Sequence, residues 1–410
     1  MPSKAPRHIW IAILVAALGY FVDVFDLILF SVLRTTSLTE LGLNTENNGL
    51  LLINLQMGGM LVGGILWGML GDKRGRLSVL FGSILLYSIA NIANGLVTDL
   101  ATYGTVRFIA GLGLAGELGA GITLVSELMS KENRGYGTML IATVGVSGAV
   151  LATYMAEHFT WRTCYFFGGG LGLLLLALRI GVHESGLFKK LEEETVPRGS
   201  LSALFGNWSR ARRYLACIFM GMPTWFIVGL LVSFVPEFGR AMGMPVNDQN
   251  QVIGLAPAIA LRYCYIGLTI GDFVSGAMSQ FMHSRKRVLL IFFILTACFM
   301  TLYLVQSEPS PTWMYWICGL LGFGAGFWAI LVTVASESFG TNLRALAATT
   351  VPNFARGALV PLTALFIALK PGLGQISAAA TVGTFAMIMA FIGLIMLPET
   401  FGKELNYTEK

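Results

Sequence analysis

Residues 68–76 read Gly-Met-Leu-Gly-Asp-Lys-Arg-Gly-Arg and form a charged turn between two long apolar runs. Each run is long enough to cross a bilayer core of about 30 Å as a helix. Similar runs continue in both directions, which predicts about twelve membrane-spanning helices. The predicted spans are residues 9–33, 49–70, 77–97, 103–128, 139–156, 164–182, 214–238, 252–278, 288–305, 314–335, 345–369 and 378–397.

The composition also indicates a membrane protein. Of 410 residues, 55% are hydrophobic and 12% are charged, which is about half the charged share of a soluble chain. The 49 glycines suit transmembrane helices, which pack closely through small residues. The net charge of +5 does not indicate nucleic acid, because the basic residues lie in short clusters between apolar runs. We therefore predict an all-α integral membrane fold and no nucleic-acid partner.

Basic residues concentrate in the loops after the even-numbered spans. The positive-inside rule makes this side cytoplasmic, so we expect both termini there, in the inner membrane of a bacterium. The longest internal polar interval, residues 183–213, divides the spans into two sets of six. We predict a first six-helix bundle over residues 1–182, a cytoplasmic linker over 183–213 and a second bundle over 214–410.

A short internal repeat supports two related halves. Glu127 precedes Arg134 in the first half, and Glu337 precedes Arg344 in the second, 210 positions later in both cases. A serine precedes each glutamate, and both copies lie at the predicted cytoplasmic end of the fourth span of their half. This pattern favours two parallel repeats, an arrangement common among transporters.

The motifs resemble those of the major facilitator superfamily. The turn at residues 68–76 resembles its signature loop, and residues 107–113, Arg-Phe-Ile-Ala-Gly-Leu-Gly, resemble its fourth-span motif. Glu127 with residues 134–135, and the tail Pro-Glu-Thr-Phe-Gly-Lys at 398–403, resemble the branch of sugar, organic-ion and metabolite:proton transporters. The resemblance covers essentially the whole chain. It implies two pseudo-symmetric six-helix bundles that move a solute by alternating access.

Two departures from that branch narrow the substrate. The seventh span, at residues 220–226, lacks the paired glutamines typical of sugar porters, so a sugar is disfavoured. The fifth span, at residues 145–149, lacks the glycine-proline pair of many drug exporters of the superfamily, so drug antiport is also disfavoured.

The charged turn and the repeated Glu and Arg predict a cytoplasmic latch. Gly68 permits close helix approach, and we expect Asp72 to lie against a helix N-terminus or a neighbouring arginine. The alternative is a turn whose charges only set topology. Because Gln280 stands where the second-half counterpart of Asp72 would be, we expect a one-sided latch. The predicted latch residues are Gly68, Asp72, Arg76, Glu127, Arg134, Glu337 and Arg344.

Acidic residues inside predicted spans of the first half indicate a proton-coupling site. Asp23 and Asp26 share one face of the first span, where two carboxylates repel one another unless they hold a proton. Glu117 lies near the middle of the fourth span, and related proton symporters use acids in these two spans. We predict that Asp23, Asp26 and Glu117 carry protons. Arg107 is expected to meet a first-span aspartate as a coupling or gating residue. The alternative is an aspartate that pairs with an arginine only as structural support.

Two arginines of the second half indicate an anionic substrate. Arg262 and Arg356 fall near mid-depth in the eighth and eleventh spans, where a guanidinium binds a carboxylate through two parallel hydrogen bonds. This interpretation weakens if Asp272 neutralises either arginine. Nearby aromatic residues are expected to form a wall, with lipid contact or core packing as the alternative for each. The predicted substrate-binding residues are Arg262, Arg356, Asn353, Trp225, Tyr263 and Tyr265.

The sequence favours a transporter over a membrane enzyme or a sensor. The four histidines are scattered, and neither an HExxH nor a Walker motif occurs. Gly111, Gly113 and Gly116 spell GxGxxG but follow no strand, so close helix packing explains them better. A non-transporting sensor of the same fold is expected to lack the coupling acids.

We expect neither cofactor nor metal. The predicted function is proton-coupled symport of a small organic anion by a monomer; the alternative is a proton-coupled transporter of an organic cation or zwitterion, or an exporter.

Overall fold

The computed structural model of the chain describes residues 7–45, 47–130, 133–178, 201–247 and 252–409. Within these ranges, nine helices are long and apolar enough to cross a membrane. They are Ile13–Glu40, Asn47–Arg74, Leu100–Leu128, Arg134–His158, Trp161–Leu178, Trp208–Val232, Arg285–Leu304, Pro311–Ser338 and Arg344–Met396.

The remaining spans complete the predicted twelve. Helix Arg344–Met396 contains two spans that meet at Gly374, whose φ of +76° breaks the helix and turns the chain back. Helix Arg76–Asn94 is the short third span, and Pro257–Phe281 is the eighth. Numbered in chain order as spans 1–12, these helices confirm the all-α twelve-helix fold.

Several spans are broken where they approach the middle of the protein. Span 4 divides into Leu100–Leu114 and Glu117–Leu128, and span 10 into Pro311–Ala325 and Trp328–Ser338. Span 7 continues from Trp208–Phe226 into a π-helical turn. Such breaks free backbone groups from the helix ladder, which is tolerated at membrane depth only where other protein groups or a cavity satisfy them.

The glycines of span 4 allow close helix packing. A Cβ added at Gly111 would lie 2.1 Å from the carbonyl oxygen of Gln56 in span 2, and one at Gly113 would lie 2.6 Å from the backbone nitrogen of Tyr87 in span 3. The packing interpretation of the GxGxxG pattern is therefore confirmed.

The two sets of six spans face each other along a central interface. Span 2 packs against span 11, and span 5 packs against span 8. At Gly119 in span 4, an added Cβ would lie 2.3 Å from the Cα of Thr349 in span 11, so only glycine permits this approach. Residues 183–200 of the predicted linker lie outside the described residues, and span 7 begins at Trp208, inside the predicted linker. The proposed bundle boundaries remain a prediction.

Candidate functional site

A cavity of about 20 Å³ lies at the centre of the interface between the two halves. This volume holds about one water molecule. The first half contributes Tyr20, Leu27 and Val146 to its lining, and the second half contributes Trp225, Tyr265 and Trp328. The cavity is therefore too small for an organic acid in this conformation, and the halves must separate to admit one.

Arg356 lies beside this cavity with 1% of its surface exposed. Its guanidinium stacks over the indole rings of Trp225 and Trp328, 5.4 and 5.7 Å from their centroids. Its Nη2 atom lies 4.0 Å from Oδ2 of Asp23 in span 1. The pair joins the two halves across the centre of the protein.

Asn353 holds Arg356 in place. Its side-chain oxygen accepts a hydrogen bond of 3.2 Å from Nη1 of Arg356. Its amide nitrogen donates to the carbonyl oxygen of Ala115, at the break in span 4, over 2.8 Å. Asn353 therefore ties the arginine of the second half to freed backbone of the first half.

Several polar atoms around the cavity lack hydrogen-bond partners among the described residues. They are Nε and Nη2 of Arg356, both carboxylate oxygens of Asp23, and Nε1 of Trp225 and of Trp328. Leaving a buried polar group unpaired costs about 1–3 kcal/mol. Such a cluster is unfavourable in a purely structural core and suits a site that receives a polar ligand.

Arg107 lies inside the first half and is completely buried. Its guanidinium donates to three amide oxygens, those of Asn94 at 3.1 Å, Asn91 at 3.2 Å and Gln56 at 3.4 Å. The charge of Arg107 also acts on Asp26, and the side-chain amide of Asn91 interacts with the same carboxylate. These side-chain amides hold Arg107 near Asp26, and the described structure shows no direct ion pair between the two.

The three acids predicted for proton coupling lie together. Asp23, Asp26 and Glu117 are each at least 99% buried. Asp23 interacts electrostatically with both Arg356 and Glu117, and its charge also acts on Asp26. Spans 1 and 4 therefore bring Asp23 next to the central arginine, and Asp26 and Glu117 lie within electrostatic reach of Asp23.

Arg262 does not lie at mid-depth as predicted. Its helix begins only at Pro257, so Arg262 occupies the second turn of that helix, near the end that the positive-inside rule predicts to face outward, named the outer end. There its Nη2 atom lies 2.6 Å from the carboxylate of Glu157, and the arginine side chain is 25% exposed. The predicted span began five residues too early because the apolar run continues through the loop before the helix.

The residues of the predicted aromatic wall do not all face one cavity, because the two tyrosines lie on different faces of span 8. Trp225 and Tyr265 line the central cavity. Tyr263 instead stacks on Tyr315 with ring centroids 5.6 Å apart and also contacts Trp316. Positions two apart on a helix point in nearly opposite directions, so both tyrosines cannot face one cavity.

Asp272 caps the second segment of span 10. Its Oδ1 atom accepts a hydrogen bond of 3.0 Å from the backbone nitrogen of Ala329, in the first turn of Trp328–Ser338. A carboxylate is favourable at this position because it meets the positive end of the helix dipole. In the described structure its partner is therefore a helix end, and neither buried arginine forms an ion pair with it.

Two buried ion pairs cross between the halves at the end that the positive-inside rule predicts to face the cytoplasm, named the cytoplasmic end. Glu127 binds Arg344 at 3.0 Å, and Glu337 binds Arg134 at 3.0 Å. Each glutamate thus pairs with the arginine of the opposite repeat. Because both residues of the repeat recur at the same sequence separation, the pseudo-symmetry that relates the two halves also relates the two ion pairs.

Asp72 and Gln280 also act as related caps at this end. The carboxylate of Asp72 accepts hydrogen bonds from the backbone nitrogens of Ala345, at 3.1 Å, and Leu346, at 2.9 Å, at the start of span 11. With its amide oriented to satisfy its neighbours, Gln280 accepts from the backbone nitrogens of Gly135 and Tyr136, both at 3.1 Å, at the start of span 5. The expectation of one-sided contacts is therefore wrong, because a glutamine oxygen accepts backbone hydrogen bonds as a carboxylate does.

The other predicted latch residues differ in how they are placed. A Cβ at Gly68 would lie 3.0 Å from a side-chain carbon of Leu346, so span 2 approaches span 11 closely here. The side chain of Arg76 lies outside the described residues.

The C-terminal tail lies against these cytoplasmic ion pairs. Arg344 donates a hydrogen bond of 2.5 Å to the carbonyl oxygen of Leu405, and Arg134 donates to the carbonyl oxygen of Lys403. Thr400 donates to Glu337 over 2.7 Å. In the sequence, this tail stands out only as a motif that resembles those of the family. Its contacts show that it covers both arginines.

Glu399 fixes the beginning of the tail. Its carboxylate accepts hydrogen bonds from Ser284 at 2.5 Å and from the backbone nitrogen of Arg285 at 2.9 Å, at the start of span 9. Partial burial acts to raise the pKa of Glu399, but these and other hydrogen bonds outweigh it, so the pKa lies below its ordinary value. The carboxylate therefore stabilises the fold above its ordinary pKa, and this contribution disappears as the pH falls through the lowered value.

We expect Glu399→Gln to lower the melting temperature by about 2–4 °C at pH 7, because about 1 kcal/mol of capping and hydrogen bonding is lost. The difference from the parent protein should shrink as the pH falls below the ordinary carboxyl range. Thermal unfolding in detergent at several pH values measures it. Glu308→Gln, at an exposed loop residue, is the control. A difference that stays constant with pH would contradict the assigned role.

Two further ion pairs join the halves at the outer end. Arg34 in span 1 lies 3.4 Å from Glu237 in the helix after the π-helical turn, and Glu157 in span 5 binds Arg262 in span 8. Arg34 is not among the site residues predicted from the sequence. The signal was present, since an arginine follows the apolar run of the first span on the side that carries few basic residues.

Comparison with known proteins agrees with this architecture. A sequence profile described as Major Facilitator Superfamily matches residues 9–361. A probable 4-methylmuconolactone transporter of Cupriavidus pinatubonensis is 26% identical over 94% of this chain and 89% of that protein. A cis,cis-muconate transport protein of Acinetobacter baylyi is 26% identical over 99% of this chain and 97% of that protein.

A solved structure supports the same fold. A proton:xylose symporter of the superfamily, bound to 6-bromo-6-deoxy-D-glucose, superposes with a TM-score of 0.77 at 16% identity and covers 98% of both chains. The profile match over most of the chain confirms the family expected from the motifs at residues 68–76 and 107–113. The chain therefore belongs to the Major Facilitator Superfamily and is a multi-pass membrane transporter rather than an enzyme.

Proposed function

We propose that the protein is a proton-coupled symporter of a small organic carboxylate that works by alternating access. The observation that carries the proposal is Arg356, a buried arginine between the halves with two N–H-bearing nitrogens that lack hydrogen-bond partners in the described structure. We place the protein in a bacterial inner membrane with both termini in the cytoplasm, on the basis of the positive-inside rule.

The surroundings of Arg356 suit a carboxylate with an apolar or aromatic body. The arginine supplies a planar pair of donors that matches a carboxylate, and the indole N–H groups of Trp225 and Trp328 are further unpaired donors. Their rings and Tyr265 offer apolar contact surface. The names of two relatives, a muconate transport protein and a probable methylmuconolactone transporter, support the same substrate class.

The Asp23–Arg356 pair gives a physical route to coupling. At 4.0 Å, an ionised Asp23 competes with a substrate carboxylate for the same guanidinium. Protonation of Asp23 removes that competition, and Asp26 and Glu117 lie close enough to pass or share the proton. Proton binding therefore favours anion binding, and the reverse holds by linkage.

Alternating access in this proposal opens one end of the interface while the other stays closed. The cytoplasmic end is held by Glu127–Arg344, Glu337–Arg134 and the caps of Asp72 and Gln280. The outer end is held by fewer contacts that are more exposed. Separation of the outer end is therefore the easier step, which favours loading from outside.

The second candidate is an organic cation or zwitterion. Asp23, Asp26 and Glu117 favour it, because these three buried carboxyl groups outnumber the two buried arginines that act on them, Arg356 and Arg107. An exporter of the same substrates would use the same groups in the opposite direction.

Uptake into proteoliposomes distinguishes these candidates. With an imposed pH gradient, acid outside, we expect cis,cis-muconate or benzoate to accumulate above the level reached in protein-free liposomes, which benzoic acid enters by passive diffusion, and we expect benzyltrimethylammonium not to accumulate. Benzamide, which has the shape of benzoate without its charge, is the matched control compound. Accumulation of the ammonium compound alone would show that the substrate class is wrong.

We expect Asp26→Asn to abolish accumulation driven by a pH gradient but to retain exchange of labelled benzoate for unlabelled benzoate. The reason is that exchange needs substrate binding and alternation, whereas accumulation needs a coupled proton. Glu117→Gln should behave similarly. Asp99→Asn, at an exposed helix cap outside the cavity, is the control. Full accumulation in the Asp26 variant would remove this residue from the coupling site.

A further inference from the structure

A second and larger cavity lies at the outer end of the interface. Its volume is about 290 Å³, close to the lower limit for small-molecule pockets. Both halves line it, through Arg34, Thr35 and Thr45 on one side and Glu237, Arg240 and Ala256 on the other. A benzoate-sized anion therefore has room here in the same conformation in which the 20 Å³ central cavity has none.

Arg34 is the buried polar group of this cavity. Its side chain is only 3% exposed. Nη1 donates to the carbonyl oxygen of Thr45 and Nη2 to that of Ser233, each over 3.3 Å, and Nη2 lies 3.4 Å from Glu237. These distances are longer than the usual 2.7–3.2 Å of such hydrogen bonds. The guanidinium is therefore held loosely by all three partners.

Unpaired atoms accompany this loose contact. Nε of Arg34 and Oε2 of Glu237 have no hydrogen-bond partner among the residues that the structure describes. The Phe234 ring lies 4.1 Å below the guanidinium and keeps water from one of its faces. Nε of Arg34 is therefore a hydrogen-bond donor without a described partner, and it lies in a site that is partly shielded from water and borders the outer cavity.

The charges of the lining residues favour an anion. Arg34 and Arg240 are positive and Glu237 is negative, so the named lining side chains carry one net positive charge. A carboxylate that displaces Glu237 from Arg34 gains a bidentate contact in place of a single long one.

We propose that this outer cavity is a capture site for small carboxylates, in which Arg34 exchanges Glu237 for the substrate. The exchange also removes a contact between the halves at the outer end. Capture therefore loosens the outer closure and gives the anion access to Arg356. This inference rests on the proposed carboxylate substrate.

Initial rates of benzoate and cis,cis-muconate uptake test the capture site. Arg34→Gln should raise KM at least tenfold and change Vmax less than twofold. Glu237→Gln should lower KM about threefold, because Arg34 loses its competitor. Arg162→Gln, at an outer-face arginine that pairs with Glu40 inside the first half, should match the parent protein.

Equilibrium binding separates the two sites. Titration calorimetry of the Arg356→Gln variant with benzoate should still detect binding, and the double variant Arg34→Gln/Arg356→Gln should not. Loss of all binding in Arg356→Gln alone overturns the capture site while the proposed function stands. If the Arg34 and Glu237 variants change Vmax equally and leave KM unchanged, the contact between these residues only holds the halves together. That result would also overturn the capture site. If the parent protein neither binds nor transports either carboxylate, the proposed function fails, and the capture site fails with it.

Discussion

Uptake of carboxylate substrate should be lost in the Arg356→Gln variant, and this is the largest functional effect we expect. A buried, hydrogen-bonded charge pair loses about 2–5 kcal/mol when one partner is truncated, which corresponds to a reduction in affinity of thirtyfold or more. Glutamine keeps much of the length of the side chain but has neither the charge nor the paired donors. Arg356→Lys should retain a small part of the activity, because it keeps the charge without the planar fork.

The control experiments separate substrate binding from structural support. Arg212→Gln, at an exposed cytoplasmic residue, should transport normally. If Arg356 served only to neutralise Asp23, the double variant Asp23→Asn/Arg356→Gln would regain uptake, since neither side chain would leave an unpaired charge. Recovery of uptake in that variant would remove Arg356 from the substrate site. We expect correct folding without recovery.

The second large effect concerns the cytoplasmic ion pairs. Arg344→Glu places a second negative charge opposite Glu127, at a contact where both native side chains are fully buried. Breaking a buried pair costs about 3–5 kcal/mol, and we expect the melting temperature to fall by roughly 10 °C. The exchange Glu127→Arg/Arg344→Glu should restore part of this loss. Restoration stays partial because Arg344 also donates to the tail at Leu405.

The chain offers a matched pair for this test. Arg134→Glu should repeat the loss, since the second ion pair is related to the first by the repeat, but the exchange Glu337→Arg/Arg134→Glu should restore less, because Glu337 also pairs with Arg285 at 3.3 Å. Reversal of the partly exposed pair Arg162–Glu40 should lower the melting temperature less, as exposed ion pairs contribute about 0–1 kcal/mol and the remaining loss comes from the hydrogen bonds of Arg162 to the carbonyl oxygens of Gly95 and Val97. Thermal unfolding in detergent, followed by uptake measurements on the folded variants, checks each result. An Arg344→Glu protein as stable as its parent would show that this contact does not hold the halves together.

Several residues of the candidate site could be predicted from the sequence, but their contacts could not. Asp23, Asp26, Glu117 and Arg356 stand out because ionisable groups within apolar runs are expensive in lipid and need a purpose or a partner. Their partners were not evident. Asp23 lies beside an arginine more than 300 positions away, and Arg107 acts on Asp26 while it donates its hydrogen bonds to amide groups. Periodicity shows which residues share a helix face, but it does not show which helix that face meets.

The sequence by itself determined the twelve spans, the repeat and which charged residues fall inside apolar runs, because span length and hydropathy are local properties that the bilayer selects directly. Tertiary structure decided the rest. It brought Glu127 to Arg344 and Glu337 to Arg134, let Gln280 take the capping role of Asp72, and placed Arg262 at the outer end. These outcomes depend on how two bundles pack against each other and on where each helix begins. No single apolar run contains that information.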